Sequence, residues 1–234
     1  NDSAVDFGSL VGDSSLNSLT INSSSDTGDT IDTGDITGVN LETLTISVDE
    51  ANATIANFGS ANELKTLSIS NLDDDSSGDI NIGTIGNASA ADELTSINIS
   101  TSGDAASAET GGGTVVTVGA ITATRATTGD AITDITVNLA GEYGASSIGA
   151  ISGSADIGAV SVTTDATGTS LTMGAITPTA GSITGDVTIN ASTDFTGTST
   201  ATGWIQTEAS GSVGNISLTS GGNMAISTTN GHEF

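Results

Sequence analysis

Residues 61–70 read Ala61-Asn62-Glu63-Leu64-Lys65-Thr66-Leu67-Ser68-Ile69-Ser70, and residues 91–100 read Ala91-Asp92-Glu93-Leu94-Thr95-Ser96-Ile97-Asn98-Ile99-Ser100. The two segments share the core apolar-x-x-apolar-x-apolar. Its last three positions alternate between apolar and polar residues, as in a β-strand that buries one side. A strand pattern that returns at a distance indicates a repeat protein, and this repeat decides the fold.

The same core recurs along the chain. Successive copies begin 23 to 38 residues apart, and one copy is a residue longer than the others. Each copy is too short to bury its own apolar side, so it must pack against its neighbours. The copies have their apolar residues at Leu16/Leu19/Ile21, Leu41/Leu44/Ile46, Leu64/Leu67/Ile69, Leu94/Ile97/Ile99, Ile132/Ile135/Val137, Ile157/Val160/Val162, Ile183/Val187/Ile189 and Val213/Ile216/Leu218.

A second unit, apolar-Gly-small-Ile, largely alternates with the first. Gly, Asp, Ser and Asn stand at the bends between these short segments, as expected for turns. One turn of the chain therefore holds two or three short strands. The copies of the second unit are Ile82-Gly83-Thr84-Ile85, Val118-Gly119-Ala120-Ile121, Ile148-Gly149-Ala150-Ile151 and Met173-Gly174-Ala175-Ile176.

The two units predict an all-β fold, a parallel β-solenoid or β-helix of about seven to eight irregular turns. Stacked turns would bury the Ile, Val and Leu residues in one continuous core. We expect right-handed winding because parallel crossovers nearly always have that hand. Residues 1–234 are interpreted as a single solenoid domain, a piece of a longer or processed chain, because no initiator Met or signal peptide precedes the repeats.

Two stretches interrupt the rhythm of the repeats, residues 101–114 and 192–212. Both are rich in Ala, Ser, Thr and Gly, and we expect them to leave the solenoid as loops. The second contains Trp204. This residue either anchors another subunit, as aromatic residues do at interface hot spots, or covers an open end or side of the core.

Other folds explain the pattern less well. An antiparallel sandwich or barrel would use tight hairpin turns, and an Asn-Gly turn occurs only at Asn230-Gly231. A leucine-rich repeat needs an asparagine eight residues after its first Leu, which these repeats lack. Disorder is disfavoured because the apolar residues recur at period two and Pro178 is the single proline.

The formal charge is −26, from 28 acidic and two basic residues, Lys65 and Arg125. Two cations cannot neutralise a phosphate backbone, so nucleic acid is excluded as a partner. Membrane insertion is not expected, because no run of about 18 apolar residues is present. The absence of cysteine removes disulfides, thiolate metal sites and cysteine nucleophiles together.

The sequence predicts a protein that is not an enzyme. Histidine, the usual acid–base residue, occurs only as His232 near the end of the chain. Two carboxylates could cleave a glycosidic bond. Solenoid enzymes that degrade polysaccharides, however, bind sugar on aromatic platforms, and aromatic residues are only 3% of this chain.

Two acidic clusters are candidates for metal binding. Ca²⁺ takes six to eight hard oxygen ligands, and glycine lets the backbone turn so that several converge. Carboxylates this close repel one another unless a cation or solvent screens them. The alternative is a solvated acidic loop. The predicted calcium ligands are Asp26, Asp29, Asp32 and Asp35 in the first cluster and Asp73, Asp74, Asp75 and Asp79 in the second.

The chain resembles the β-solenoid regions of bacterial surface-layer proteins and of large adhesins exported by type I secretion. The resemblance covers about residues 10–227 and lies in repeats such as Leu94–Ser100, in the richness in Asp, Gly, Ser and Thr, and in the missing cysteine. The calcium-binding nonapeptide Gly-Gly-x-Gly-x-Asp of many such proteins is absent. Individual calcium sites therefore cannot be transferred from the resemblance.

We expect a structural subunit of an extracellular fibre or cell surface that self-assembles into a lattice or filament, stabilised by calcium. Further copies of the chain would be its partners, with cell-surface polysaccharide as another partner. No capping helix is readable at either end, so either flanking domains outside this piece supply caps or copies of the chain add to one another. The alternative is an adhesin or phage-fibre shaft that presents a separate receptor-binding module. An ice-binding solenoid would need a Thr-x-Thr ladder in register, and Thr43-x-Thr45 does not recur in this way.

Overall fold

The regular structure in the computed structural model of the chain consists of β-strands. Among the residues that it describes, no helix is long and apolar enough to cross a membrane. The described residues are 4–12, 15–24, 30–38, 41–49, 52–58, 65–71, 79–87, 94–102, 115–123, 130–140, 144–165, 170–199, 204–207 and 210–228. The strands are β1 Ala4–Asp6, β2 Leu10–Gly12, β3 Ser18–Ser24, β4 Thr30–Thr33, β5 Ile36–Gly38, β6 Thr43–Asp49, β7 Asn52–Phe58, β8 Thr66–Asn71, β9 Ile80–Asn87, β10 Leu94–Ser102, β11 Val116–Val118, β12 Ile121–Ala123, β13 Asp130–Ala140, β14 Ala145–Ile148, β15 Ile151–Gly153, β16 Asp156–Thr164, β17 Ser170–Met173, β18 Ile176–Pro178, β19 Val187–Ala191, β20 Asp194–Ser199, β21 Ile216–Ser220 and β22 Met224–Thr228.

Each pair of these strands is parallel. An eight-stranded sheet has the order β3-β6-β8-β10-β13-β16-β19-β21. A twelve-stranded sheet follows β1-β4-β7-β9-β11-β14-β17-β20-β22, with β12, β15 and β18 beside this path, and β2 pairs with β5. The chain returns to the same sheet once per turn, which makes it a parallel β-solenoid, as the sequence predicts.

The number of turns is close to the expectation. The solenoid has about six turns, a small difference from the predicted seven to eight. The right-handed winding stays a prediction.

The first repeat forms the inner side of the eight-stranded sheet. Leu67 of β8 is in register with Ile97 of β10, and Ile69 with Ile99. Side chains of the same kind therefore stack in columns, each buried Ile or Leu contributing roughly 1.5–3 kcal/mol to stability. The two columns are Leu19, Leu44, Leu67, Ile97, Ile135, Val160, Val187 and Ile216, and Ile21, Ile46, Ile69, Ile99, Val137, Val162, Ile189 and Leu218.

The copy that is one residue longer keeps these columns. Ile183 bridges Ile157 of the preceding turn, and Val187 is in register with Val160. The extra residue therefore lies between Ile183 and Val187, where the chain bends, and it does not shift the strand that follows. A bend tolerates an insertion because fewer ladder hydrogen bonds constrain it there.

The second repeat forms a corner of the solenoid. Its glycines stack on the backbone of the preceding turn: a Cβ on Gly119 would lie 2.5 Å from the carbonyl oxygen of Gly83, and one on Gly149 would lie 2.6 Å from the carbonyl carbon of Gly119. Only glycine permits such a close approach of two backbones. The repeat is thus explained by contact between turns as well as by bending.

The two predicted loops have different outcomes. Of residues 101–114, Thr101 and Ser102 belong to β10, and the rest lie outside the described residues. Of residues 192–212, Asp194–Ser199 forms β20 in the twelve-stranded sheet, so this part continues the solenoid. Its alternation of buried and exposed residues, which the small and polar composition conceals, is the physical reason.

Trp204 belongs to the core. Its side chain is 1% exposed and packs edge-on against Phe195, with ring centroids 5.5 Å apart. The indole Nε1–H donates to the carbonyl oxygen of Gly174 at 2.9 Å and to that of Met173 at 3.2 Å. A buried and hydrogen-bonded indole covers a side of the core and leaves no surface for a subunit anchor.

Candidate functional site

The structure describes three of the eight predicted calcium ligands. Asp32, Asp35 and Asp79 are all exposed. The other predicted ligands, Asp26, Asp29, Asp73, Asp74 and Asp75, lie outside the described residues. The calcium sites therefore stay a prediction.

The three described ligands occupy different places on the coil. Asp32 is on β4, whereas Asp35 lies between β4 and β5 and accepts a hydrogen bond from the side-chain amide of Asn57 at 2.9 Å. Asp79 precedes β9 and accepts one from the backbone N–H of Val115 at 3.0 Å. Within the described part of the chain, no group of three or more His, Cys, Asp or Glu side chains is arranged to hold a metal ion.

Two pairs of carboxylates are in register on neighbouring strands. Asp130 of β13 is in register with Asp156 of β16, and both are partly buried. Asp6 of β1 is in register with Asp32 of β4. Neighbouring strands are about 4.8 Å apart, so these two charges face solvent one strand spacing from each other. Two like charges at this spacing repel one another, and a nearby cation lowers that repulsion.

Four aspartates have a structural role that the sequence argument missed. Each accepts a hydrogen bond from a backbone N–H in the next turn of the coil. Each also directly precedes an apolar residue that begins the buried part of a strand. Asp35 shares this sequence feature but accepts from the side-chain amide of Asn57, so the feature alone does not identify the role. The pairs are Asp79 with Val115 (3.0 Å), Asp156 with Ser182 (2.7 Å), Asp186 with Asn215 (3.0 Å) and Asp194 with Asn223 (2.8 Å).

This role does not require a charge. The side-chain oxygen of Asn52 accepts the backbone N–H of Asp79 at 2.8 Å, at the corner where Asp79 then accepts that of Val115. An amide and a carboxylate thus perform the same task in successive turns. Part of the acidity is therefore a way of satisfying backbone donors at corners, where the strand ladder is interrupted.

The described charges are concentrated at the corners of the coil. Lys65 and Glu42 occupy neighbouring turns and form an ion pair of 2.8 Å that is roughly half exposed. An exposed pair of this kind contributes only about 0–1 kcal/mol. Asp32 of β4 and Asp134 of β13 are exposed within strands of the large sheets.

A shallow groove lies beside the glycine corner. It is lined by Ile148, Gly149, Ala150, Gly174, Ala175, Thr198 and Ser199. None of these residues has a side chain that titrates near neutral pH, so the groove offers no acid–base group for catalysis. His232, the only histidine, lies outside the described residues.

Strand edges lie at the two ends of the described coil. Among the described residues, β3 pairs only with β6 and β1 only with β4 at the first end, and β21 pairs only with β19 and β22 only with β20 at the other. Large apolar side chains are exposed at both ends: Phe7 (47%) and Val11 (78%) at the first, and Ile216 (42%) and Met224 (37%) at the second. At the other positions whose burial is described, the large apolar side chains are buried or partly buried.

Comparisons with known proteins give no family for the chain. No protein-family model, no curated protein and no solved structure matches it.

Proposed function

We propose that the chain is a structural, non-enzymatic protein of a cell surface or extracellular fibre, whose copies join end to end into a filament or lattice stabilised by calcium. The observation that carries the proposal is the pair of partly apolar strand edges at the two ends of the described coil. Unpaired strand edges are templates for adding another strand, and solenoids cover them with a capping segment or with a further unit.

The two ends match each other in residue type. The column that begins with Leu19 on β3 ends with Ile216 on β21, and the column that begins with Ile21 ends with Leu218. Placing β21 of one copy beside β3 of the next would continue both apolar columns without interruption. A head-to-tail contact of this kind repeats indefinitely and gives a filament.

Calcium is proposed as the counterion of this assembly. A charge of −26 opposes the approach of a second copy, and a divalent cation relieves that repulsion. The stacked carboxylates of Asp6 and Asp32 lie near the first end, where the last turn of another copy would arrive. The predicted clusters around Asp29 and Asp74 would add ligands of the type that calcium prefers.

The test is electron microscopy and sedimentation of the purified chain in calcium and in excess chelator. Filaments or sheets that form in calcium and dissociate in chelator are expected. The variant Ile216→Glu, which places a charge on the inner column at the open end, should stay unassembled. Asn81→Glu, an exposed outward position in the middle of the coil, is the matched control and should assemble normally.

Two results would contradict the proposal. Monomers at all concentrations in calcium would exclude end-to-end joining, and isolated stalks on native particles would favour the adhesin or phage-fibre shaft. Equal assembly with and without chelator would exclude a role for calcium and would leave the end-to-end joining of copies unaffected. Binding to cell-surface polysaccharide is a separate expectation, tested by co-sedimentation with isolated cell walls.

A further inference from the structure

The outer side of the eight-stranded sheet carries two columns of hydroxyl and amide side chains. They lie between the apolar residues of the first repeat and therefore point away from the core. We call them together the hydroxyl–amide face. The columns are Thr20, Thr45, Ser68, Asn98, Thr136, Ser161, Thr188 and Ser217, and Asn22, Ser47, Ser70, Ser100, Asn138, Thr163, Asn190 and Thr219.

This face has no charge and few internal hydrogen bonds. All of its residues are Ser, Thr or Asn, and each is at least partly exposed. Asp49 and Asp134 stand outside the two columns, at their borders. Among these side chains the structure shows one mutual hydrogen bond, from Ser70 to Ser47 at 3.1 Å. The remaining hydroxyl and amide groups are left to bond with solvent or with another molecule.

We propose that the hydroxyl–amide face pairs with the same face of a second copy of this chain. This inference deepens the proposed function, because it supplies a sideways contact that would join two filaments into a pair. It follows from the distribution of charge. Two molecules that each carry −26 repel one another, and they approach at least cost through a wide surface without acidic side chains.

The shape of the face also suits a copy of itself. Because the strands are parallel and in register, small side chains of similar size lie above one another in each column. Two such faces can therefore interdigitate and exclude water, as the paired sheets of steric zippers do. Flat sheets of many strands are commonly stabilised by this kind of stacking. A contact of one face with itself closes on a two-fold axis and pairs two molecules.

The size of the face sets the expected strength. Eight strands at about 4.8 Å span about 34 Å, and the two columns occupy about four residues of each strand at about 3.3 Å, or about 13 Å. One face thus covers about 450 Å², and a pair buries about 900 Å², which is the size of a weak or transient interface. Single domains should therefore pair weakly. Copies joined end to end should pair much more tightly, because every further domain adds its face to the same contact.

The experiment measures pairing in a background that cannot form filaments. Ile216→Glu blocks the open end and keeps both columns of the face intact. In sedimentation equilibrium at physiological salt, this protein should show a reversible two-copy species that grows with concentration. Adding Thr136→Glu and Ser161→Glu, in the centre of the face, should weaken that association at least tenfold. Adding Asn81→Glu and Thr117→Glu instead gives the same charge on the twelve-stranded sheet and should not change it. Circular dichroism checks that each variant is folded.

The possible results separate this inference from the proposed function. Pairing through the hydroxyl–amide face is contradicted if the Ile216→Glu protein stays monomeric up to millimolar concentration. It is also contradicted if this protein pairs equally well after Thr136→Glu is added. If the face is right and end-to-end joining is wrong, the unmodified chain forms pairs and no filaments. If joining is right and the face is wrong, the filaments are not paired through this face, and Thr136→Glu leaves them unchanged. Retention of the monomer on microcrystalline cellulose, lost on Thr136→Glu, would assign the face to a neutral polysaccharide and also overturn the pairing.

Discussion

The carboxylate of Asp186 accepts two hydrogen bonds from Asn215 in the next turn, one from the backbone N–H and one from the side-chain amide, each 3.0 Å long. Asp186 is the last residue before β19, and Asn215 is the last residue before β21. The bond thus connects the same corner of two turns. It satisfies a backbone donor at a point where the strand ladder has not yet begun.

Asp186→Ala should therefore lower the free energy of unfolding by about 1 kcal/mol, because a backbone donor loses its partner at an exposed corner. Asp186→Asn keeps a side-chain oxygen and should retain most of the stability, as Asn52 does in the same kind of contact. Urea denaturation followed by circular dichroism measures both. Asp134→Ala removes an equal charge from the middle of a strand and should cost little. Equal losses for Ala and Asn, present only in calcium, would show instead that Asp186 is a metal ligand.

The glycine corner gives a sharper prediction. A Cβ on Gly149 would lie 2.6 Å from the carbonyl carbon of Gly119 and 2.7 Å from the backbone nitrogen of Ala120. Backbone atoms cannot move aside as a flexible side chain can, so Gly149→Ala should destabilise the solenoid by about 1–3 kcal/mol through overpacking. Thermal and urea denaturation provide the measurement.

Gly86→Ala is the matched control for this corner. It lies on β9, and its added Cβ would have the carbonyl oxygen of Thr122 as nearest neighbour at 3.9 Å. Its stability should be unchanged or slightly higher, because alanine restricts the unfolded chain. Equal destabilisation by both alanines would mean that backbone flexibility, and not contact between turns, explains these glycines.

The stacking of the repeats could be predicted from sequence because it depends on residue type at fixed spacing. Leu67 over Ile97 and Ile82 beside Val118 follow directly from aligning the repeat copies. The strand β20 could not be found in this way. Its buried positions hold Phe195 and Gly197, which do not match the Ile and Val of the other copies.

The roles of the acidic residues were harder to predict. Asp79 and Val115 are 36 residues apart, and their contact exists only because the coil returns to the same corner. A cluster in sequence, such as Asp73-Asp74-Asp75, says little about which backbone donors face it. The hydroxyl–amide face was likewise hidden, since its columns mix Ser, Thr and Asn and become visible only when the register of all eight strands is known.

Trp204 makes unfolding of the later turns measurable, because it is the only tryptophan. Its indole is buried and bonded to Gly174, so its emission should be blue-shifted and poorly quenched by acrylamide in the folded chain. The neighbouring end strands pair on one side only, and the ends of a solenoid unfold before its middle. Tryptophan fluorescence in urea should therefore change at a lower concentration than circular dichroism. A higher midpoint for fluorescence would contradict this order of unfolding.

The core contains one polar atom whose removal should stabilise the protein. Thr33 on β4 is fully buried, and its Oγ1 has no hydrogen-bond partner among the described residues. Valine has nearly the same shape and lacks the unsatisfied hydroxyl, so Thr33→Val should raise the free energy of unfolding by about 1 kcal/mol. Thr101 is the matched control: it is also buried, but its hydroxyl donates to the carbonyl oxygen of Ala140 at 3.0 Å. Thr101→Val should therefore lower the free energy of unfolding by a similar amount. Urea midpoints that fall for both variants would show that the Thr33 hydroxyl has a partner in solution.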